Sequence, residues 1–259
     1  MQSSKLGIKI AMAGHSKWAN IQHRKGRQDA KRGKLFTKLI REITVAAKLG
    51  GSDSSANPRL RAAIDNGLSN NMAKDTIDRA VKHGAGGDEN SNVDEIRYEG
   101  YGPNGVAVIV DTMTDNKNRT VAEIRHAFSK FGGNLGTDGS VSYLFTKIGL
   151  ISFQGEIDED AIMEAALESG AEDIITNGDN SIDVITNPDN LVDIKDVIVA
   201  AGFDPQNTEI TMRASTTNEL GKKSAETMIK LLDALEDIDD VQKVYSNAEI
   251  PDEILAELN

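Results

Sequence analysis

The stretch EIRYEGYGPNGVAVIVDT, residues 95–112, marks the point at which the chain changes from helical to strand periodicity. Two runs rich in β-branched and aromatic side chains, Glu95–Tyr101 and Val106–Thr112, flank a Gly-Pro-Asn-Gly sequence. Such runs on either side of turn-forming residues are typical of a β-hairpin. The stretch therefore predicts two antiparallel strands, and with them a sheet-containing domain that begins near residue 93.

The same turn contains a cofactor-like pattern, because Gly100–Gly105 matches G-x-G-x-x-G by letter. In a dinucleotide site the glycines lead into a helix whose N-terminus meets the pyrophosphate. Here a predicted strand follows instead, and Pro103 removes one backbone N–H group. We interpret the pattern as a hairpin turn and predict no bound cofactor.

Upstream of the hairpin the pattern is helical, and we predict a helical domain over residues 12–85. Apolar residues at three- and four-residue spacing predict one amphipathic helix that ends at Gly50-Gly51; they are Leu35, Phe36, Leu39, Ile40, Ile43 and Ala47. Asn57-Pro58 predicts the start of a second helix, which Gly67 weakens. A third helix carries Ile77 and is predicted to stop before Gly84, where a Gly-rich linker begins.

Downstream of the hairpin the sequence predicts a helix at 119–131, a turn at Gly132–Gly136 and a strand at Gly139–Phe145. Residues 150–213 then give the order β-α-β-β-α-β, the split-βαβ or ferredoxin-like motif. A helix at 224–235 and a strand at 241–245 would complete the sheet that the hairpin starts. The predicted fold class is therefore α+β, with an N-terminal helical bundle followed by two ferredoxin-like α/β domains. The last of these, residues 148–218, is inserted into a discontinuous middle domain of residues 93–147 plus 219–259.

Charge is distributed unevenly along the chain. The net charge is −12, yet residues 1–82 contain 17 Lys and Arg against 6 Asp and Glu, and residues 83–259 contain 12 against 35. Such asymmetry predicts a basic binding module attached to an acidic body. The acidic body repels phosphate, which confines contact with a polyanion to the basic part.

Composition and the chain start narrow the class of protein further. The sequence has no cysteine, which excludes a disulfide framework, a zinc-thiolate site and a cysteine nucleophile. Without an apolar run that could span a bilayer, we expect a cytoplasmic protein with no membrane partner. Residues 1–11 lack the continuous apolar stretch of a secretory signal, and Met12 opens a better-patterned segment, as expected if they come from an upstream start. No sustained heptad is present, so we expect a monomer.

The most basic stretch is residues 22–34, QHRKGRQDAKRGK, which holds no large apolar side chain and cannot bury a face in its own domain. In a helix, seven cations would share one stripe, away from the apolar face: Lys17, Arg24, Arg27, Lys31, Lys34, Lys38 and Arg41. Such charges repel one another, which favours phosphate contact over a solvated face without a partner. Gly26 and Gly33 each cost about 1 kcal/mol in a helix, so a polyanion is expected to order the middle.

We therefore predict a nucleic-acid-binding site in this segment and its neighbours. Trp18 can stack on a base, although a tryptophan is more often a core anchor. His15 and His23 suit phosphate better than a metal ion, because no cysteine or carboxylate cluster lies nearby, and no metal site is predicted. The predicted contact residues are His15, Lys17, Trp18, His23, Arg24, Lys25, Arg27, Lys31, Arg32, Lys34 and Lys38.

Several motifs also give the chain a family resemblance. Ala13–Lys34, which begins AGHSKWANIQHRK, resembles the N-terminal signature of the YebC family, and Tyr98–Pro103, Asp115–His126, Gly132–Val141 and Val244–Asn247 fit the same family. The resemblance covers about residues 12–250. It implies one helical and two α/β domains in a cytoplasmic, DNA-binding regulator of transcription. Mitochondrial members of the family are translational activators, so the resemblance implies a role on the ribosome as the alternative.

Two functions stay open at this level, and a third is disfavoured. A transcription regulator needs side chains that read base edges; Asn20, Gln22 and Gln28 can serve, but no clear helix-turn-helix pattern accompanies them. A ribosome-associated translation factor would use the same stripe on ribosomal RNA. An enzyme is disfavoured because no catalytic motif, such as a nucleophile elbow, is present.

Overall fold

The fold is given by a computed structural model that describes residues 28–86, 93–155, 158–177 and 180–258. These residues form two compact units. One comprises Tyr143–Asn218, and the other joins the described parts of Asn20–Ser142 and Glu219–Asn259. Helices come first and antiparallel sheets follow, which confirms the predicted α+β class. Within the described ranges, no helix is long and apolar enough to cross a membrane.

The helical bundle consists of the first three helices: α1 Gln28–Gly50, α2 Pro58–Ser69 and α3 Lys74–Ala85. Apolar residues of all three form one core around the buried side chains of Ile43 and Leu60. Asn57 starts α2 as the sequence predicts, because its side chain accepts a hydrogen bond from the Leu60 N–H at 3.0 Å. The same side chain donates to the carbonyl oxygens of Ala46 at 2.8 Å and Gly51 at 2.9 Å, which ties α2 to the end of α1.

Gly84 does not end the third helix, so that prediction is wrong. Helix α3 continues through Gly84 to Ala85. A Cβ atom at Gly84 would lie 2.2 Å from the Thr44 carbonyl oxygen and 2.9 Å from the Ala47 Cβ. The glycine is therefore explained by the close approach of α3 to α1, and the missing side chain is a packing requirement.

The hairpin predicted from residues 95–112 is confirmed. The elements in this part of the chain are β1 Asp94–Tyr101, β2 Ala107–Thr114, α4 Lys117–Lys130 and β3 Asn134–Leu135. The Gly102 N–H donates to the Val106 carbonyl oxygen at 2.7 Å, and Asn104 and Gly105 have positive φ angles of 58° and 74°. The hairpin turn thus accounts for Gly105, whereas Gly100 and Gly102 are explained by close packing, because a Cβ would lie 2.7 Å from the Asn134 carbonyl oxygen and 2.8 Å from the Met228 Sδ, respectively.

Residues from Tyr143 to Asn218 form the second sheet and its helices. Their elements are β4 Phe145–Phe153, α5 Glu159–Glu168, β5 Asp173–Thr176, β6 Ile182–Thr186, α6 Leu191–Ala200 and β7 Asn207–Ala214. The strand order β5-β6-β4-β7 is fully antiparallel, as in a split-βαβ motif. Both helices cover one face of the sheet, where Ile151, Ile162 and Ile198 are buried together.

Two local predictions near this sheet are wrong. The strand expected at Gly139–Phe145 begins only at Phe145 and runs to Phe153. The preceding loop cannot join a ladder, because the backbone N–H groups of Gly139, Val141 and Ser142 donate to the Glu99 carboxylate instead. The turn expected at Gly132–Gly136 contains the short strand β3, which pairs with β1.

The chain then returns to the sheet of the hairpin. Its last elements are β8 Asn218–Glu219, α7 Lys222–Glu236, β9 Val241–Ser246, β10 Ala248–Glu249 and α8 Asp252–Leu258. Strand β9 pairs with β2, which gives the order β3-β1-β2-β9. Helices α4 and α7 pack on this sheet and against each other. The connection from α7 to β9 becomes important for the basic helix.

Candidate nucleic-acid interface

Most of the predicted contact residues lie outside the described residues: His15, Lys17, Trp18, His23, Arg24, Lys25 and Arg27. Lys31 and Arg32 fall within helix α1, whose description there is limited to the backbone. Lys34 and Lys38 are described in full. Their roles as phosphate contacts stay predictions, and the structure shows what their amino groups bind within the chain.

Lys34 and Lys38 both bind an acidic turn of the domain that contains the sheet β3-β1-β2-β9, which we call the sheet domain. We call Glu236–Asp240, which joins α7 to β9 and reads EDIDD, the acidic turn. The Lys34 Nζ donates to both the carbonyl oxygen and the carboxylate of Asp237, each at 2.9 Å. The Lys38 Nζ donates to the Glu236 carbonyl oxygen at 3.1 Å. Burial lowers the pKa of Lys38, although the negative charge of Glu236 acts in the opposite direction and raises it.

Arg41, the last cation of the predicted stripe, is fixed more firmly. One guanidinium nitrogen, Nη1, donates to the carbonyl oxygens of Met113 at 2.9 Å and Asp239 at 2.8 Å. The same nitrogen lies 3.1 Å from the Asp240 carboxylate. Arg41 therefore bridges the end of β2 and the acidic turn, and it holds α1 against both.

Asp240 is the centre of this arrangement, with a side chain that is only 2% exposed. Its second carboxylate oxygen accepts hydrogen bonds from Thr120 Oγ1 at 2.6 Å, Arg119 Nη2 at 2.7 Å and Thr114 Oγ1 at 3.0 Å. Burial alone would raise the pKa of Asp240, but these donors outweigh it and hold the pKa below its ordinary value. A charged Asp240 thus joins α1, through Arg41, to the first turn of α4.

Helix α1 is consequently engaged on two opposite faces. Ile43 and its apolar neighbours face the bundle core, while Lys34, Lys38 and Arg41 face the acidic turn. These two sets lie on different sides of a helix with 3.6 residues per turn. From Lys34 onward, the basic stripe is an intramolecular contact. Among Lys34, Lys38 and Arg41, the most exposed contact is the ion pair between Lys34 and Asp237, whose side chains are 41% and 71% exposed.

Sequence reasoning missed the acidic turn as a partner of the basic helix. The available signal was the local cluster EDIDD after a predicted helix. Its partners lie about 200 positions away, as in the Arg41–Asp240 contact with a sequence separation of 199. An acidic cluster in an acidic body does not by itself indicate which cations it binds.

A second anchored feature is the loop that connects β3 to β4. The Glu99 carboxylate, on a residue that is 5% exposed, accepts from the N–H groups of Gly139 at 2.9 Å, Val141 at 2.7 Å and Ser142 at 2.7 Å. Burial would raise the pKa of Glu99, yet the three backbone donors hold it below its ordinary value. The Tyr101 hydroxyl adds a hydrogen bond to the Ser140 carbonyl oxygen at 2.8 Å. The loop is therefore tied to β1 along its length.

One acidic side chain elsewhere caps a helix. Asp158, at the start of α5, accepts from the Ala161 N–H at 3.2 Å, as expected of a helix cap. Among the residues with described positions, no group of three or more His, Asp or Glu could hold a metal ion.

Comparison with known proteins gives matches along most of the chain. Residues 16–87 match a family model described as the TACO1/YebC protein N-terminal domain, and residues 93–248 match one described as the TACO1/YebC second and third domain. A "Probable transcriptional regulatory protein" of Francisella tularensis subsp. novicida (strain U112) is 65% identical over 247 residues, covering 95% of this chain and 100% of the relative. A protein of the same name from Francisella tularensis subsp. holarctica (strain LVS) is 64% identical with the same coverage. The crystal structure of a conserved hypothetical protein from Aquifex aeolicus superposes with a TM-score of 0.82 at 47% identity, covering 92% of this chain and 99% of that one.

Proposed function

Because the chain belongs to the TACO1/YebC family, we propose that it is a non-enzymatic, nucleic-acid-binding regulator of gene expression that acts in the cytoplasm as a monomer. The observation that carries the proposal is the basic segment that leads into α1, set against an acidic body. Its first target is DNA in the control of transcription, in keeping with the names of the Francisella relatives.

The acidic turn divides the basic stripe into two parts with different roles. Lys38 and Arg41 hold α1 on the sheet domain, and their hydrogen bonds to backbone carbonyl groups leave little freedom to bind phosphate. We assign phosphate contact to the upstream cations, chiefly Arg24, Arg27 and Lys31, with Lys25 and Arg32 beside them. Each such contact releases counterions, so binding should weaken steeply as salt rises.

Lys34 lies at the boundary between these two parts. Its ion pair with Asp237 is well exposed, and exposed pairs contribute only about 0–1 kcal/mol. A phosphate group can therefore replace Asp237 at low cost. On this proposal Lys34 changes partner when nucleic acid binds, while Arg41 keeps Asp240.

Ribosomal RNA is the second candidate target, and one observation favours it. A recognition helix reads bases by lying in the major groove with a free face. From Lys34 onward α1 has the bundle on one side and the acidic turn on the other, so its few exposed side chains, such as Leu35 and Thr37, do not form a broad polar face for groove insertion. Contact through phosphates, without base-edge readout, suits a structured RNA at least as well as a promoter.

Charge reversal of Arg24, Arg27 and Lys31 to Glu tests the basic segment. Binding of a fluorescein-labelled 20-base-pair DNA and a 20-nucleotide RNA would be followed by fluorescence anisotropy across a salt series. We expect affinity to fall at least 100-fold and the salt dependence to flatten, because three phosphate contacts become repulsive.

The matched control reverses three exposed cations of the bundle: Arg61, Lys74 and Lys82. This variant has the same change in net charge, so it isolates position from total charge. Equal loss of binding in both variants, or unchanged affinity in the first, would contradict the assignment to the basic segment.

Sedimentation of a cell lysate distinguishes the two targets. Co-migration with ribosomal particles that is lost on RNase treatment or at high salt would favour the translation role. Migration as a free protein under all conditions would favour transcription, and promoter DNA would then be sought by crosslinking.

A further inference from the structure

Helix α4 is a basic element within the acidic body. Residues 83–259 contain 12 Lys and Arg against 35 Asp and Glu, yet the 14 residues of α4 contain four Lys and Arg, one His and one Glu. The cations are Lys117, Arg119, Arg125 and Lys130. Like charges placed on one short helix repel one another, so their concentration here is unexpected without a partner.

The cations of α4 divide into an engaged and an unengaged group. Lys117 pairs with Asp94 at 3.3 Å, and Arg119 binds both Asp115 and Asp240. Further along the helix, the cations Arg125 and Lys130 are exposed, and so is the imidazole of His126. Among the described residues these three have no hydrogen bond or ion pair, and Lys130 has one ring contact, 5.4 Å above Phe131.

The unengaged cations share the outer face of α4 with small polar residues. The inner face is buried in the sheet domain through Thr120, Ile124, Ala127 and Phe128. At 3.6 residues per turn the opposite side presents the α4 face, which we define as Asn118, Arg125, His126, Ser129 and Lys130. The exposed Ala122 lies within this face, and one carboxylate, that of Glu123, lies at its edge next to Lys130. The α4 face contains no large apolar side chain. Protein interfaces depend on buried aromatic or aliphatic anchors, whereas phosphate is bound by Arg, Lys, Ser and Asn donors of this kind.

The α4 face also begins where the basic stripe of α1 ends. Arg41 and Arg119 bind opposite oxygens of the same Asp240 carboxylate, at 3.1 Å and 2.7 Å. At 1.5 Å per residue, α1 extends about 20 Å from Arg41 back to Gln28, and α4 extends about 16 Å from Arg119 to Lys130. Two cationic helix segments of comparable length therefore meet at one buried anion.

We propose that the α4 face is a second phosphate-contact surface, which binds the backbone of the same nucleic acid beyond the acidic turn. This inference rests on the proposed function, since α1 and its preceding segment provide the primary contact. Asp240 connects both surfaces, because it binds Arg41 and Arg119 at the junction, while Arg125, His126 and Lys130 are available to the ligand. Outside α4, residues 83–259 contain 8 Lys and Arg (12 minus 4) against 34 Asp and Glu (35 minus 1), and this excess of negative charge directs the strand along α4.

The test is the double variant Arg125→Ala with Lys130→Ala in the full chain, assayed with the labelled 20-nucleotide RNA and 20-base-pair DNA. Removal of two phosphate contacts should lower the slope of log Kd against log salt by about 1.4 for the single strand and about 1.8 for the duplex. For the RNA this corresponds to about 25-fold weaker binding at 0.1 M salt. Both side chains are exposed, so the midpoint of thermal unfolding should be unchanged.

The matched control is Lys74→Ala with Lys82→Ala, which removes the same charge from exposed positions of α3. If the slope of log Kd against log salt stays at the wild-type value in the α4 variant, or falls equally in the control, the assignment of the α4 face as a phosphate-contact surface is wrong. The proposed function would then still stand. Failure of the wild-type protein to bind either probe would overturn both. Loss of binding in the Arg24, Arg27 and Lys31 variant with a normal slope in the α4 variant would leave only the primary contact.

Discussion

Replacement of Asp240 by Asn should destabilise the protein by about 2–3 kcal/mol at neutral pH. The carboxylate accepts two guanidinium contacts and two hydroxyl hydrogen bonds within a site that is 2% exposed. Removal of one partner from a buried charge pair costs about 3–5 kcal/mol. Arg41 and Arg119 keep side-chain exposures of 23% and 44%, so water compensates part of the loss. At about 2–4 °C per kcal/mol, the melting temperature should fall by about 5–10 °C.

Asp239→Asn is the matched control for this experiment. Asp239 is the neighbouring exposed residue, and it binds Arg41 through its backbone carbonyl oxygen, which asparagine retains. The two variants therefore make the same change in charge one position apart. Thermal unfolding followed by circular dichroism should show a melting temperature near wild type for Asp239→Asn and a clearly lower one for Asp240→Asn.

The pH dependence of the difference gives a second check. The folded-state pKa of Asp240 lies below its ordinary value, so its stabilising contribution is complete above the unfolded pKa of about 3.9. That contribution is lost as the pH falls through the folded-state pKa. The difference in melting temperature between wild type and Asp240→Asn should thus be largest near pH 7 and should decrease below about pH 4. Equal melting temperatures for the two variants, or a gap that ignores pH, would refute the assignment of Asp240 as a charged anchor.

Three further predictions concern the bundle and the loop. Gly84→Ala should destabilise the protein by about 3 kcal/mol or more, because its Cβ would lie 2.2 Å from the Thr44 carbonyl oxygen. Gly67→Ala should instead stabilise it by about 1 kcal/mol, because the nearest atom to its Cβ would be 3.4 Å away. If urea unfolding showed that both variants change the free energy of unfolding in the same direction, this account of the packing would be wrong. Asn57→Ala should cost about 2–3 kcal/mol through loss of the cap and of two amide hydrogen bonds. Asn57→Ser, which keeps a capping oxygen but lacks the amide donor, should recover the cap part alone, and equal losses in urea unfolding would argue against this division. Glu99→Gln should raise the rate of hydrogen exchange at the three amides that the Glu99 carboxylate binds. In the wild-type protein these amides should lose their protection only as the pH falls through the lowered pKa of Glu99. Unchanged exchange rates in the variant would show that other contacts hold the loop.

The bundle shows how far local rules extend. The apolar spacing from Leu35 to Ala47 predicted the central part of α1, and Asn57-Pro58 predicted the start of α2. Both predictions depend on residues within a few positions of each other, where helix geometry fixes the neighbours. Gly84 was misread because a glycine near a predicted helix end is usually a terminator. Its actual role depends on Thr44, which is 40 positions earlier and lies on another helix.

The candidate site shows the same limit on a larger scale. The uneven charge and the stripe through Lys34, Lys38 and Arg41 were evident from the sequence, and they led to the proposed nucleic-acid contact. The sequence did not reveal that these three side chains bind residues 236–240. Nor did it distinguish the engaged cations of α4 from the unengaged ones.

The sequence by itself determined the order of the longer helices and strands, the hairpin, and the separation of a basic segment from an acidic body. These features follow from periodicity, turn chemistry and charge, all of which act over short distances along the chain. Only the tertiary structure decided that Asp240 is paired with Arg41 and Arg119 and that Glu99 holds the loop at 139–142. The physical reason is that the chain contains 41 acidic and 29 basic side chains, and any of them can pair with an opposite charge. Chain packing selects a few of these pairs by bringing distant segments together and excluding water from the contact.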